Sequence, residues 1–319
     1  MMTGRYVEFP NQEGLPLRGI LHCPDKETEH RVCVLLLSPG IKGRVGPHRL
    51  YLKLANRLVS RGFHVLRFDY SGLGDSAGEI SERMLVDVYT SIQTGRNVGD
   101  TIAAMDWMQR THGIKRFIGS GLCGGSISAL LAAETDSRIE SLLGIGLPTV
   151  LEGGPENWAR ILTQQQLVSL RGAYLRKLAN PRSWLRFLAG KSDIRSIWRV
   201  MKNWAFRTSR PRKAPNESTP KAEVDNTNPR FAGAFLAILR SRRPVLLVFS
   251  GADRLHAQFR ENFEAHQAVA LASLRNLYEV HVVRDANHVL SDPAWLSELL
   301  QVAEQWLDVR YQTRPSVAP

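Results

Sequence analysis

RFIGSGLCGGSISALLAAE, residues 116–134, compresses three kinds of local structure into one stretch. Phe117 and Ile118 read as a short apolar strand, glycines 119, 121, 124 and 125 crowd a corner, and Ile127, Ala129, Leu130, Leu131 and Ala133 leave it as a helix of small and aliphatic residues. Within the corner, Gly121-Leu122-Cys123-Gly124-Gly125 spells G-x-C-x-G, the pattern of a nucleophile elbow with cysteine where serine is more usual. The spacing has a steric reason. The central residue occupies a sharp turn, and side chains two before and two after it would keep strand and helix apart. A residue held there sits at the start of a helix, where unpaired N–H groups and the helix dipole favour negative charge. The same residues also fit a glycine-rich turn around a buried, inert cysteine. The elbow therefore needs a base, an acid and an oxyanion loop from the rest of the chain.

Working outward, residues 31–37 (RVCVLLL) form a continuous β-prone run, as expected of a strand buried on both faces of a mostly parallel sheet. The run ends at Ser38-Pro39-Gly40-Ile41-Lys42-Gly43, followed by an amphipathic helix over 49–61, a strand over 64–70 and the segment DYSGLGDS at 69–76. Two strands at 5–9 and 17–24 precede these, and a helix over 101–110 leads into the elbow. Beyond it come a strand at 139–147, a helix at 231–239 and a strand at 244–249 that runs into Ser250-Gly251-Ala252-Asp253. A helix over 257–274, a strand over 278–283 ending before His288, and a last helix capped by Asp292-Pro293 complete the chain. The alternation predicts an α/β fold, a mostly parallel central sheet covered by helices on both faces.

The 319 residues are 43% hydrophobic and 23% charged, an ordinary globular composition. There is no apolar run long enough to span a membrane and no signal-peptide layout at the start, so the expected compartment is the cytoplasm. Three cysteines, Cys23, Cys33 and Cys123, imply neither a disulfide framework nor a zinc site, and nothing calls for a metal or a cofactor. The net charge of +12 is uneven: residues 151–243 hold 19 lysines and arginines against 6 acidic residues, and the remainder 23 against 24. The βα rhythm breaks in that region. It predicts an α/β core at 1–148 and 231–319, interrupted by a basic helical insertion at 149–230, where relatives of such folds carry a lid, with a mobile loop at 208–229. A basic insertion suits an anionic lipid or glycan substrate, or peripheral contact with an anionic membrane surface. No nucleic-acid-binding module is present, and the oligomeric state is left open.

A nucleophile, then an acid, then a histidine, each after a strand, is the order Cys123, Asp253, His288. With this order, the chain resembles the α/β-hydrolase superfamily over essentially its whole length outside the insertion. DYSGLGDS looks like the D-x-x-G-x-G-x-S turn common there. RVGPHR at 44–49, VLRFDYSGLGDS at 65–76 and GLCGGS at 121–126 resemble bacterial exosortase A system-associated hydrolases, whose name implies an exopolysaccharide and envelope setting. The resemblance implies acyl transfer to water through a Cys-His-Asp triad. His288, oriented by Asp253, takes the thiol proton from Cys123, and the sulfur attacks an ester, thioester or lactone carbonyl. The oxyanion donors it implies are the backbone N–H groups of Gly124 and Ile41, although Pro39-Gly40 stands where many relatives have His-Gly. Arg44 and His48, following that loop, are candidate substrate contacts. Ser126 and Ser120 are rival nucleophiles that fall in the helix and the strand rather than at the corner. An acyltransferase, and a non-catalytic lipid- or glycan-binding relative, are the alternative readings.

Overall fold

The computed structural model describes residues 4–25, 31–151 and 226–311, all within one compact unit. Eight strands form one sheet: β1 (Arg5–Pro10), β2 (Pro16–His22), β3 (Val32–Leu37), β4 (His64–Phe68), β5 (Arg116–Leu122), β6 (Ile139–Ile145), β7 (Val245–Ser250) and β8 (Tyr278–Val283). Their spatial order is β1-β2-β4-β3-β5-β6-β7-β8. The first two strands pair antiparallel, β2 meets β4 antiparallel, and every later pairing is parallel. Every residue of β3 and β7 is buried, because helices cover both faces there, whereas the edge strand β1 buries only Val7 and Phe9.

Strand side chains alternate between two cores. Phe117 faces one, built with α3 (Val98–His112), α4 (Gly124–Thr135) and α5 (Phe231–Arg240). Its neighbour Ile118 faces the other, built with α1 (Leu50–Ser60) and the last helix, Pro293–Tyr311. Helix α4, directly after the elbow, is buried from Gly124 through Ala133, which explains why its sequence lacks a polar face.

Two elements depart from expectation. Leu85–Thr94 is a helix, α2, in a stretch (LVDVYTSIQT) whose β-branched and polar residues have modest helix propensity. The helix expected over 257–274 is broken into α6 (Leu255–Phe259), a π-helical turn (Arg260–Glu264) and α7 (Ala268–Ala272), which makes the last helix α8. The polar run from Arg260 to Asn262 and from Glu264 to Gln267 gives no continuous apolar face, and Phe259 and Phe263 instead join Phe231, Phe235 and Tyr278 in one aromatic cluster.

Most of the expected insertion, including loop positions 208–225, lies outside the described residues. At its two ends the chain leaves and returns side by side. Val150 bridges Thr227 antiparallel, Leu151 N donates to Asn226 O (2.8 Å) and Asn228 N to Thr149 O (2.9 Å). The final positions assigned to a mobile loop, 226–229, are thus paired backbone, with Asn228 buried and its Nδ2 donating to Gln93 O of α2 (2.7 Å).

Candidate active site

The loops following β3, β5, β7 and β8 all open at the C-terminal edge of the parallel strands, where ligands bind in open α/β sheets. Cys123 follows β5 and caps α4 with φ 53° and ψ −113°, a backbone conformation rare for any residue but glycine. Its surroundings enforce that turn. A Cβ on Gly121 would stand 2.5 Å from the carbonyl carbon of Gly125, and one on Gly125 would stand 2.1 Å from the Leu37 oxygen. Cys123 N donates to Ile145 O of β6 (2.8 Å), and its own carbonyl accepts from Ser126 and Ile127. The thiol is neither buried nor fully exposed, unlike that of Cys33, whose complete burial pushes its pKa well above the usual thiol value. The rival Ser126 is buried and donates its hydroxyl to Cys123 O (2.7 Å), and Ser120 is buried within the strand.

Asp253 and His288 come from neighbouring loops that are laced together. Gly251 N donates to Val283 O (2.8 Å) and Ala252 N to Ala286 O (3.0 Å). Asp253 uses both carboxylate oxygens: Oδ1 accepts from Arg254 N (2.7 Å), and Oδ2 lies 2.5 Å from His288 Nδ1. Burial pushes the Asp253 pKa up, but the hydrogen bond and charge of His288 and the Arg254 N–H outweigh it, so the carboxyl is held below its usual range. The His288 pKa is pushed up to about 10, first by the Asp253 hydrogen bond and next by the neighbouring Cys123, against the opposing effect of burial. The three residues singled out from sequence therefore meet, with His288 between the carboxylate and the sulfur.

The loop at 38–43 lies against the elbow. A Cβ on Gly124 would be 2.7 Å from Gly40 N, so only a glycine after Cys123 permits this approach. Among the described residues, no acceptor is paired with the backbone N–H of Ile41 or of Gly124. Two residues absent from the sequence reading cover this corner from α2: the ring of Tyr89 lies 3.0 Å from a Cβ placed on Gly40, and Ile92 lies 3.4 Å from one on Gly124. Burial of Val88 and Ile92 four apart, ahead of a glycine C-cap at Gly95, was the available signal for that helix.

Arg44 and His48, the candidate substrate contacts, sit in different surroundings. Arg44 is committed elsewhere: its Nη1 pairs with Asp69, its Nη2 lies 2.5 Å from Asp75 Oδ2, and its backbone N donates to Asp69 Oδ1 (2.6 Å). Asp69 is 1% exposed, so this is a structural pairing that ties the loop after β3 to the turn after β4. His48 is exposed in a short 3₁₀ turn (Pro47–Arg49) at φ 51°, and no contact joins it to the triad.

A model of the alpha/beta hydrolase family matches residues 34–299. The chain belongs to that family. Solved structures share its fold at low identity. An α/β serine hydrolase without a lid from Xanthomonas campestris is 14% identical with a TM-score of 0.54, over 99% of this chain and 98% of that one. An esterase from Pyrococcus furiosus is 15% identical, TM-score 0.55, over 97% and 93%. A hypothetical protein from Pseudomonas aeruginosa is 20% identical, TM-score 0.54, over 95% and 92%. No curated protein matches the sequence. In this alpha/beta hydrolase the elbow carries cysteine, and among its described residues no helix is long and apolar enough to cross a membrane.

Proposed function

We propose that this alpha/beta hydrolase cleaves activated acyl groups, as esters, thioesters or lactones, through a covalent intermediate on Cys123. The observation that carries the reading is the position of His288, hydrogen-bonded through Nδ1 to Asp253 and close enough to Cys123 for the two to interact. His288, whose pKa is raised to about 10, holds the proton that the Cys123 thiol gives up, and the sulfur attacks the carbonyl carbon. Asp253 fixes the tautomer and stabilises the imidazolium. The negative oxygen of the tetrahedral intermediate is received by the N–H groups of Gly124 and Ile41. Collapse expels the alcohol or thiol, which takes the proton back from His288, and water then releases the acid by the same steps reversed. A thiolate is itself a good leaving group, so an amide adduct tends to revert, and activated acyl groups are preferred over peptides.

The esterase name of the Pyrococcus furiosus neighbour agrees with this reaction class. The resemblance of segments 44–49, 65–76 and 121–126 to exosortase A system-associated hydrolases supports work on envelope or exopolysaccharide acyl groups from the cytoplasmic side. An anionic acyl substrate, or peripheral contact with the inner membrane, suits the basic 151–243 stretch. The test is intact-protein mass after brief exposure to p-nitrophenyl acetate. One acetyl group mapped to Cys123, and abolished in Cys123→Ala and His288→Ala, is the expected result. Acetylation that persists in Cys123→Ala, or none in the native chain, would defeat the reading.

A further inference from the structure

The parallel register between β3 and β5 runs to Leu37 opposite Gly121. One residue further the strands part, and a buried hydroxyl stands in the gap. Leu122 N donates to Tyr51 Oη (2.7 Å), and Tyr51 Oη donates to Leu37 O (2.6 Å). A tyrosine hydroxyl carries one hydrogen, and here it also accepts one. In a parallel ladder an N–H and a carbonyl at such positions would bond directly. The two strand ends are therefore held one hydroxyl wider than a direct rung.

Those strand ends lead to the two oxyanion donors of the proposed mechanism. Leu37 opens the loop to Ile41, and Leu122 precedes Cys123 and Gly124. The Leu37 carbonyl is also the surface on which Gly125 rests, since a Cβ there would stand 2.1 Å from it. Tyr51 itself has little freedom. It is 0% exposed, its N donates to Val45 O (3.2 Å), and its ring lies 3.2 Å from a Cβ placed on Gly46. Burial pushes its pKa far above the usual phenol value, so it keeps its donating hydrogen.

We infer that Tyr51 is a positioning residue whose hydroxyl sets the spacing between the Ile41 and Gly124 oxyanion donors. The inference rests on the acyl-enzyme reading above. Removing the hydroxyl leaves the ring in place but allows Leu122 N–H and Leu37 O to close on each other. The oxyanion site then narrows without change to the Cys123–His288–Asp253 contacts.

The experiment compares native protein and Tyr51→Phe in three measurements: single-turnover acylation by p-nitrophenyl acetate, steady-state kcat and KM, and alkylation of Cys123 by iodoacetamide. Alkylation of sulfur forms no tetrahedral oxyanion and so does not need the donors. The expected result is acylation and kcat lower by about 10- to 100-fold, KM within about twofold, and unchanged alkylation. Site-specific p-aminophenylalanine at position 51, which restores a donor and a weak acceptor, should recover part of the acylation rate. Native-rate acylation in Tyr51→Phe would overturn the inference alone. So would acylation and alkylation falling together, or a variant that no longer folds, because the hydroxyl would then serve the nucleophile or the sheet. A native chain that is alkylated but never acylated would overturn both this inference and the reading on which it rests.

Discussion

Around Cys123 the chain is held by close approach: Gly121 against Gly125, Gly125 against the Leu37 carbonyl, Gly124 against Gly40, and a left-handed φ at the cysteine. Around Asp253 and His288 it is held by donors and acceptors: two backbone bonds between the loops, the Arg254 N–H and the 2.5 Å carboxylate–imidazole contact. The Cys123 corner therefore fails when atoms are added, and the acid–histidine corner fails when protons are moved. A site assembled in these two ways has one half whose backbone is held by packing and one half whose side chains are held by charge.

The sharpest break of that contrast is one methyl group at the steric corner. Gly125→Ala would place a carbon 2.1 Å from a backbone oxygen that no side-chain rotation can relieve. We expect loss of acylation by about 10³-fold or more and a stability loss of about 3 kcal/mol by urea unfolding, at the upper end for overpacked sites. A variant near native in both would show that the corner is not held by sterics.

Arg44→Ala asks whether charge also supports the steric side. Asp69 is 1% exposed, and removing its ion-pair partner leaves a buried carboxylate with backbone N–H donors and only the more distant charge of Arg67, at a cost of about 3 kcal/mol. Because the guanidinium is spent on Asp69 and Asp75, KM should stay within about twofold while the urea midpoint falls. A large rise in KM with stability unchanged would return Arg44 to the substrate.

The loops that carry Ile41 and Asp253 were legible because β3 and β7 advertise themselves as unbroken apolar runs, and whatever follows such a run lies at the sheet edge. The glycine spacing around Cys123 was legible for the same steric reason that the structure displays. Helix α2 was not: Asp87, Tyr89 and Thr90 blur its apolar period, and its register is set by tertiary contacts of Ile92 and Gln93. The ion pairs of Arg44 were not legible because its acidic partners lie 25 and 31 residues away and meet it only once β4 lies beside β3. Tyr51 reads in sequence as one more apolar position on α1. Its hydroxyl acquires a role only where two strands diverge.

The smallest expected effect is the one that tests the proton-sensitive half directly. His288 has a folded pKa raised to about 10 from an unfolded value near 6.5, so its contribution to stability is complete below about pH 6.5 and is lost as pH climbs toward 10. Asp253 is depressed, so its contribution is complete above its unfolded value near 3.9 and is lost as pH falls through the folded value. The pair therefore stabilises fully between about pH 4 and 6.5 and weakens on either side. His288 is 39% exposed, and solvent screening limits the net effect to about 1 kcal/mol. Subtracting the urea-unfolding profile of His288→Ala from that of the native chain isolates this term. A difference that is flat from pH 5 to 10 would mean that the acid–histidine corner, like the corner at Cys123, is held by packing rather than by charge.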